Sequence, residues 1–85
     1  MKTADKIRIE KALITIAETI NFETVQNYQA TNDALISRDY AKEHGDEVTA
    51  DKWLRRAKRL KLRAAELADI KDAIDNLDII FHRTF

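Results

Sequence analysis

Apolar residues recur at steps of three and four along most of this 85-residue chain. Ile9, Leu13, Ile16, Ala17 and Ile20 mark one face of a first helix, widened by Ile7 and Ile14. Thr3 stands where a helix cap belongs, although Lys6 replaces the acid that would complete a capping box. The line weakens at Asn21-Phe22-Glu23-Thr24 and resumes through Val25, Tyr28, Leu35 and Ile36. Asn21 offers a cap for a second start, which would divide the stretch and give three helices. Without Gly or Pro to make a turn there, one continuous helix, kinked at most, is the expectation. It closes at His44-Gly45, where glycine supplies the left-handed residue after the last turn and His44 suits the negative helix end.

Thr49, with Asp51 in the following turn, is read as the cap of a second helix. Trp53, Ala57, Leu60 and Ala64 begin its apolar seam, and Leu67, Ile70, Ile74, Leu77 and Phe81 continue it. The seam shifts around the helix near Leu67–Ile70, which implies supercoiling with a local irregularity. The fold class is therefore all-α: a single helical domain over 1–85, with a helix over about 4–44, a turn at 45–49 and a helix over about 50–82, folded back as a long antiparallel hairpin. At 1.5 Å per residue it is roughly 50–60 Å long. Pairing outward from the turn sets Tyr40 near Trp53, Leu35 near Leu60, Ile20 near Ile74 and Leu13 near Phe81.

Such a hairpin is a thin globule. Ordering costs about 1.5 kcal/mol per residue, which one shared seam scarcely matches. Ile7, Ile14, Ile36, Leu54, Leu62 and Ile79 lie off the seam, and Ile80 and Phe85 add apolar surface at the far end. A homo-oligomer, a dimer or larger helical bundle, is the expectation.

Composition sharpens this picture. The chain has no proline and one glycine, too few turn residues for a strand protein. With no cysteine, disulfides and thiolate metal sites are excluded. Fifteen basic and fifteen acidic residues give a net charge of zero, so no global field attracts polyanions. No apolar run approaches the roughly 18 residues of a membrane span, so a membrane partner is not expected. The opening MKTADKIRIEKALITIAETI is interrupted by charges and is not read as a signal peptide, which leaves a cytoplasmic location as the default.

The charges are segregated. Between Lys52 and Arg63 stand seven basic residues and no acid; Glu66, Asp69, Asp72, Asp75 and Asp78 follow against Lys71 alone. Lys52, Arg55, Arg56, Arg59 and Arg63 share a helical stripe beside the apolar seam, and like charges at i,i+4 cost a few tenths of a kcal/mol each. An anionic ligand, or acids of this chain or of a second copy, should offset them. The stripe is a candidate site for nucleic acid or a phosphorylated small ligand, with Trp53 or Tyr40 placed to stack on a base. Alternatively, two copies of the last helix run antiparallel, basic half against acidic half, with Ala64, Ala65 and Ala68 at the crossing and Leu54, Leu62 and Ile79 beside it. The segment from Tyr40 through Arg56 also resembles a DNA-binding helix-turn-helix, in Ala41 and Gly45 before the turn and Leu54 with its arginines after it. Asp46 and Asp51 depart from that pattern by standing where it buries apolar residues.

Other chemistry is weaker. Glu43, His44, Asp46 and Glu47 cluster at the turn, but His82 belongs to the opposite end, so no metal or other cofactor is expected. Asp69, Asp72, Asp75 and Asp78 drift 60° per step and do not converge. Glu18 and Glu23 are the available partners for a catalytic carboxylate pair, and Ser37 has no base. The amide-rich stretch Gln26–Asp33 reads as a solvated face, as a polar layer fixing helix register, or as a ligand-facing patch. The expected function is that of a small non-enzymatic interaction protein (a regulator, inhibitor or assembly adaptor) with a protein partner. Nucleic-acid or phosphate-ligand binding comes second and a small helical-bundle enzyme third.

Overall fold

The computed structural model describes residues 2–84, so Phe85 lies outside it. Helix α1 spans Thr3–Glu43 and helix α2 spans Glu47–Thr84, and they pack on each other. No strand occurs among the described residues. Helix α1 passes through Asn21 unbroken. The hairpin measures 64 × 16 × 12 Å and its radius of gyration is 19.0 Å. A compact chain of this length has about 12 Å.

The turn forms for local reasons. Gly45 adopts φ of 74°, the left-handed region. Its N–H donates to the Lys42 carbonyl (3.0 Å) and the Asp46 N–H donates to the Ala41 carbonyl (2.9 Å), a Schellman closure. Both expected N-caps are corrected. Lys2, not Thr3, occupies the first cap position, with no side-chain cap bond. Asp46, not Thr49, caps α2: its Oδ1 accepts from the Thr49 N–H at 3.1 Å, and its carbonyl accepts from the Ala50 N–H. A cap accepts from the third residue of its helix, which is where Thr49 stands. The turn is thus shorter than expected and α2 starts earlier.

That early start moves the register by about one helical turn. The Asn27 side chain donates to the Leu60 carbonyl at 2.9 Å, and Arg63 reaches Glu23 at 3.1 Å. Trp53 therefore lies beside Ala30, Ala34 and Ser37 rather than Tyr40, and Leu13 beside Asp75 and Asp78 rather than Phe81. Leu60 opens on one side of the seam with Asn27 and Ala30, and Leu35 on the other with Lys61 and Ala64.

The seam itself follows small residues. Ile20, Ala34, Ala41, Ala50, Ala57, Leu67 and Phe81 are buried, with Ala34 at 0 % exposure. Leu13, Ala17, Asn27 and Thr31 on α1, and Trp53, Leu60, Ile74 and Asp78 on α2, are half-buried on the same lines. The spacing alternates three and four, the heptad period of about 3.5 residues that keeps a seam facing its partner. It runs straight past Leu67, without the expected shift; Ile70 and Leu77 lie beside it, exposed. Val25, Tyr28 and Ile36, expected in the seam, face outward because α1 turns Asn27, Thr31 and Ala34 inward instead.

Two predictions follow from this packing. Ala57→Leu overpacks the seam and costs about 1–3 kcal/mol in urea unfolding, whereas Ala73→Leu on the exposed side does not. Hydrogen bonds from the Thr49 hydroxyl and N–H, helped by Lys52, hold the Asp46 carboxyl below its ordinary 3.8. A lowered folded-state pKa contributes stability above the unfolded value and loses it as pH falls through the folded one. Asp46→Ala therefore lowers the thermal midpoint at pH 7, and the gap to wild type closes as the pH drops below about 4.

Candidate functional site

Two faces flank the seam. On the first, a groove lined by Ala30, Asp33, Ala34, Ser37, Trp53 and Arg56 adjoins one lined by Phe22, Glu23, Gln26, Asn27, Leu60 and Arg63. On the second, shallow grooves carry Arg38, Lys42 and Leu54 near the turn, Tyr28, Leu35 and Lys61 at mid-length, and Ile14 and Asp75 toward the open end. None encloses a ligand-sized cavity. A side chain belongs to one face or the other according to which flank of the heptad it occupies.

The basic stripe is divided by its partners. Arg63 donates to Glu66 at 2.9 Å and to Glu23 of α1 at 3.1 Å, and these carboxylates raise its pKa further. Arg55 pairs with Asp51 at 2.7 Å. Acids of the same chain thus supply part of the offset that the run requires. Lys52, Arg56 and Arg59 have no ion pair among the described residues. Arg56 shares its groove with half-buried Trp53, so an aromatic surface and an unpaired cation do meet there. Tyr40 does not join them. Its ring lies against His44, with centroids 4.1 Å apart, and the His44 Nδ1 donates to the Tyr40 carbonyl at 2.8 Å.

The helix-turn-helix resemblance fails on geometry. That motif sets its helices at roughly 90–120°. Here α2 returns along α1, as the Glu23–Arg63 and Asn27–Leu60 contacts require.

Of the six residues expected at a self-association surface, Leu54, Ala65, Ala68 and Ile79 share the second face by their spacing. Ala64 turns inward beside Asn27 and Thr31, and Leu62 points away from both faces at 68 % exposure. No three of the His, Asp and Glu side chains converge on a metal-sized site among the described residues. Glu23 is committed to Arg63, and Ser37 lines the Trp53 groove. No helix of the described residues is long and apolar enough to cross a membrane. No family model, curated protein or solved structure matches the chain.

Sequence reasoning missed the position of Asn27. Its amide spans the seam to a backbone carbonyl, and the Thr24 and Thr31 hydroxyls donate back to Ile20 and Asn27 within α1. The amide-rich stretch is therefore divided: Asn27 and Thr31 form a polar layer, whereas Gln26, Gln29, Asn32 and Asp33 are solvated. The available signal was the step of seven from Leu13 and Ile20 through Asn27 to Ala34 and Ala41. Half-buried polar groups set into a helix seam fix register at some cost in stability. Asn27→Leu is expected to raise the urea midpoint and to split single backbone amide signals in heteronuclear NMR spectra as alternative registers become populated.

Proposed function

We propose that this chain is a small non-enzymatic helical interaction protein that works as a homo-oligomer and presents helical surfaces to a protein partner, as a regulator, inhibitor or assembly adaptor in the cytoplasm. The surplus of apolar surface carries the reading. Among the described residues, fourteen large apolar side chains are exposed, including Phe22, Tyr28, Ile36, Leu62 and Ile80. The accessible area is 6608 Å². A compact monomer of this mass exposes about 5,200 Å², leaving about 1,400 Å² in excess. Large apolar side chains exposed in this number mark a protein interface.

A second reading has one specific observation in its favour: Arg56, unpaired and beside Trp53, offers a cation and a stacking platform to a nucleic acid or a phosphorylated ligand. Zero net charge, and the carboxylates already bound to Arg55 and Arg63, weigh against it.

Sedimentation velocity separates the readings together with heparin chromatography. The interaction protein sediments as a dimer or larger at micromolar concentration and passes through heparin at moderate salt. A monomer at these concentrations overturns it. Retention with a steep salt dependence, abolished in Arg56→Glu/Arg59→Glu, reassigns the first face to a polyanion.

A further inference from the structure

The second face has an internal symmetry that identifies its partner. Along α2 it presents, at steps of three and four, Asp51, Leu54, Lys58, Lys61, Ala65, Ala68, Asp72, Asp75, Ile79 and His82. Reversed about the point between Glu66 and Leu67, this series matches itself. Lys61 falls on Asp72, Lys58 on Asp75, Leu54 on Ile79 and Ala65 on Ala68. None of Lys58, Lys61, Asp72 and Asp75 has an ion pair of its own among the described residues. Asp51 and His82, each held by an i,i+4 neighbour (Arg55 and Asp78), meet at the ends.

Helix α1 has the same property on the same face. Ile7, Ile14, Asn21, Tyr28 and Leu35 recur at every seventh residue. Reversed about Asn21, Ile7 falls on Leu35, Ile14 on Tyr28 and Asn21 on itself. The two centres lie close together in the hairpin. The Asn27–Leu60 and Glu23–Arg63 contacts and the buried alanines beside the turn place Asn21 opposite residues 65–70, within about one helical turn, or roughly 5 Å of rise, of the α2 centre.

We infer that the second face is occupied by a second copy of this chain, related by a two-fold axis through Asn21 and the midpoint of α2. Helix α1 then lies antiparallel on its counterpart, and so does α2, giving a closed four-helix dimer with an isologous interface. Small residues stand at the axis, where the helices come closest, and the basic and acidic halves of α2 neutralise each other across it. The first face fails the same operation, since Arg63 falls on Ile70 and Arg56 on Leu77. It stays outward on both sides of the dimer.

This assignment rests on the self-association proposed above, and its test is separable from it. Because the chain lacks cysteine, Asn21→Cys places one thiol per copy at the axis. On oxidation it forms an intermolecular disulfide at least about tenfold faster than Gln29→Cys on the solvent side, as expected for thiols held at high effective concentration. Lys61→Asp and Asp72→Lys each weaken the dimer about tenfold or more by sedimentation equilibrium, and the double swap restores it. A dimer in which Asn21→Cys links no faster than the control, or in which the double swap restores nothing, overturns this face and leaves self-association standing. A monomer up to about 50 µM overturns both.

Discussion

An alanine-lined seam constrains everything else in this molecule. Ala34 and Ala41 on α1 face Ala50 and Ala57 on α2, all buried, around the Gly45–Asp46 turn. Each removes little apolar area from water, on the order of one methyl group at about 25 cal/mol per Å². What alanine supplies is close approach. Beside the turn the helices meet on methyl groups, whereas Leu60, Leu67, Ile20 and Phe81 enter the seam farther along. Tyr28, Ile36, Tyr40 and Leu62 are exposed because their heptad positions fall outside this line.

That inversion decides how much of the fold was legible in the sequence. The absence of proline and the single glycine fixed the number of long helices and the place of the reversal, because the left-handed position at Gly45 has few other occupants. Large apolar residues were a partial guide away from the turn, where Ile20, Leu67 and Phe81 are buried but Ile16, Ile70 and Leu77, also expected in the seam, are exposed. They misled between Val25 and Ile36, because a search weighted by side-chain size passes over a heptad written in Asn27, Thr31, Ala34 and Ala41. The cap error at Thr49 had a different origin. Asp46 and Thr49 are both good cap residues three positions apart, and only the backbone reveals which accepts and which donates. From that one displacement came the turn of error in register, and with it the mistaken pairing of Tyr40 with Trp53.

The charges were legible as a pattern and illegible as partners. A run of basic residues followed by acids is plain in the sequence. Its neutralisation is local in part, through Asp51 and Glu66 within α2, and non-local in part, through Glu23. Exposed pairs such as these contribute little to stability. Their greater consequence is to thin the basic stripe, leaving Lys52, Arg56 and Arg59 as its cations without an ion pair among the described residues. A stripe of five that looks suited to phosphates becomes a smaller patch centred on the Trp53 groove, with Tyr40 withdrawn to His44.

The two faces then differ in kind, and the difference bears on function. A surface that matches its own reverse is best satisfied by another copy of itself, and Lys58 and Lys61 set against Asp72 and Asp75 along one helix supply the two signs of charge that it needs. A surface that sets arginines against Ile70 and Leu77 under the same reversal has no such partner. Its apolar end, around Ile16, Ile70 and Leu77, and its basic end, around Trp53 and Arg56, call for an object that is itself amphipathic, apolar at one end and acidic at the other. A nucleic acid satisfies the second requirement and not the first, because a phosphate backbone offers nothing to three exposed aliphatic side chains. A protein segment that is apolar at one end and acidic at the other would satisfy both, which is the physical ground on which the proposed function prefers a protein to a polyanion at this face.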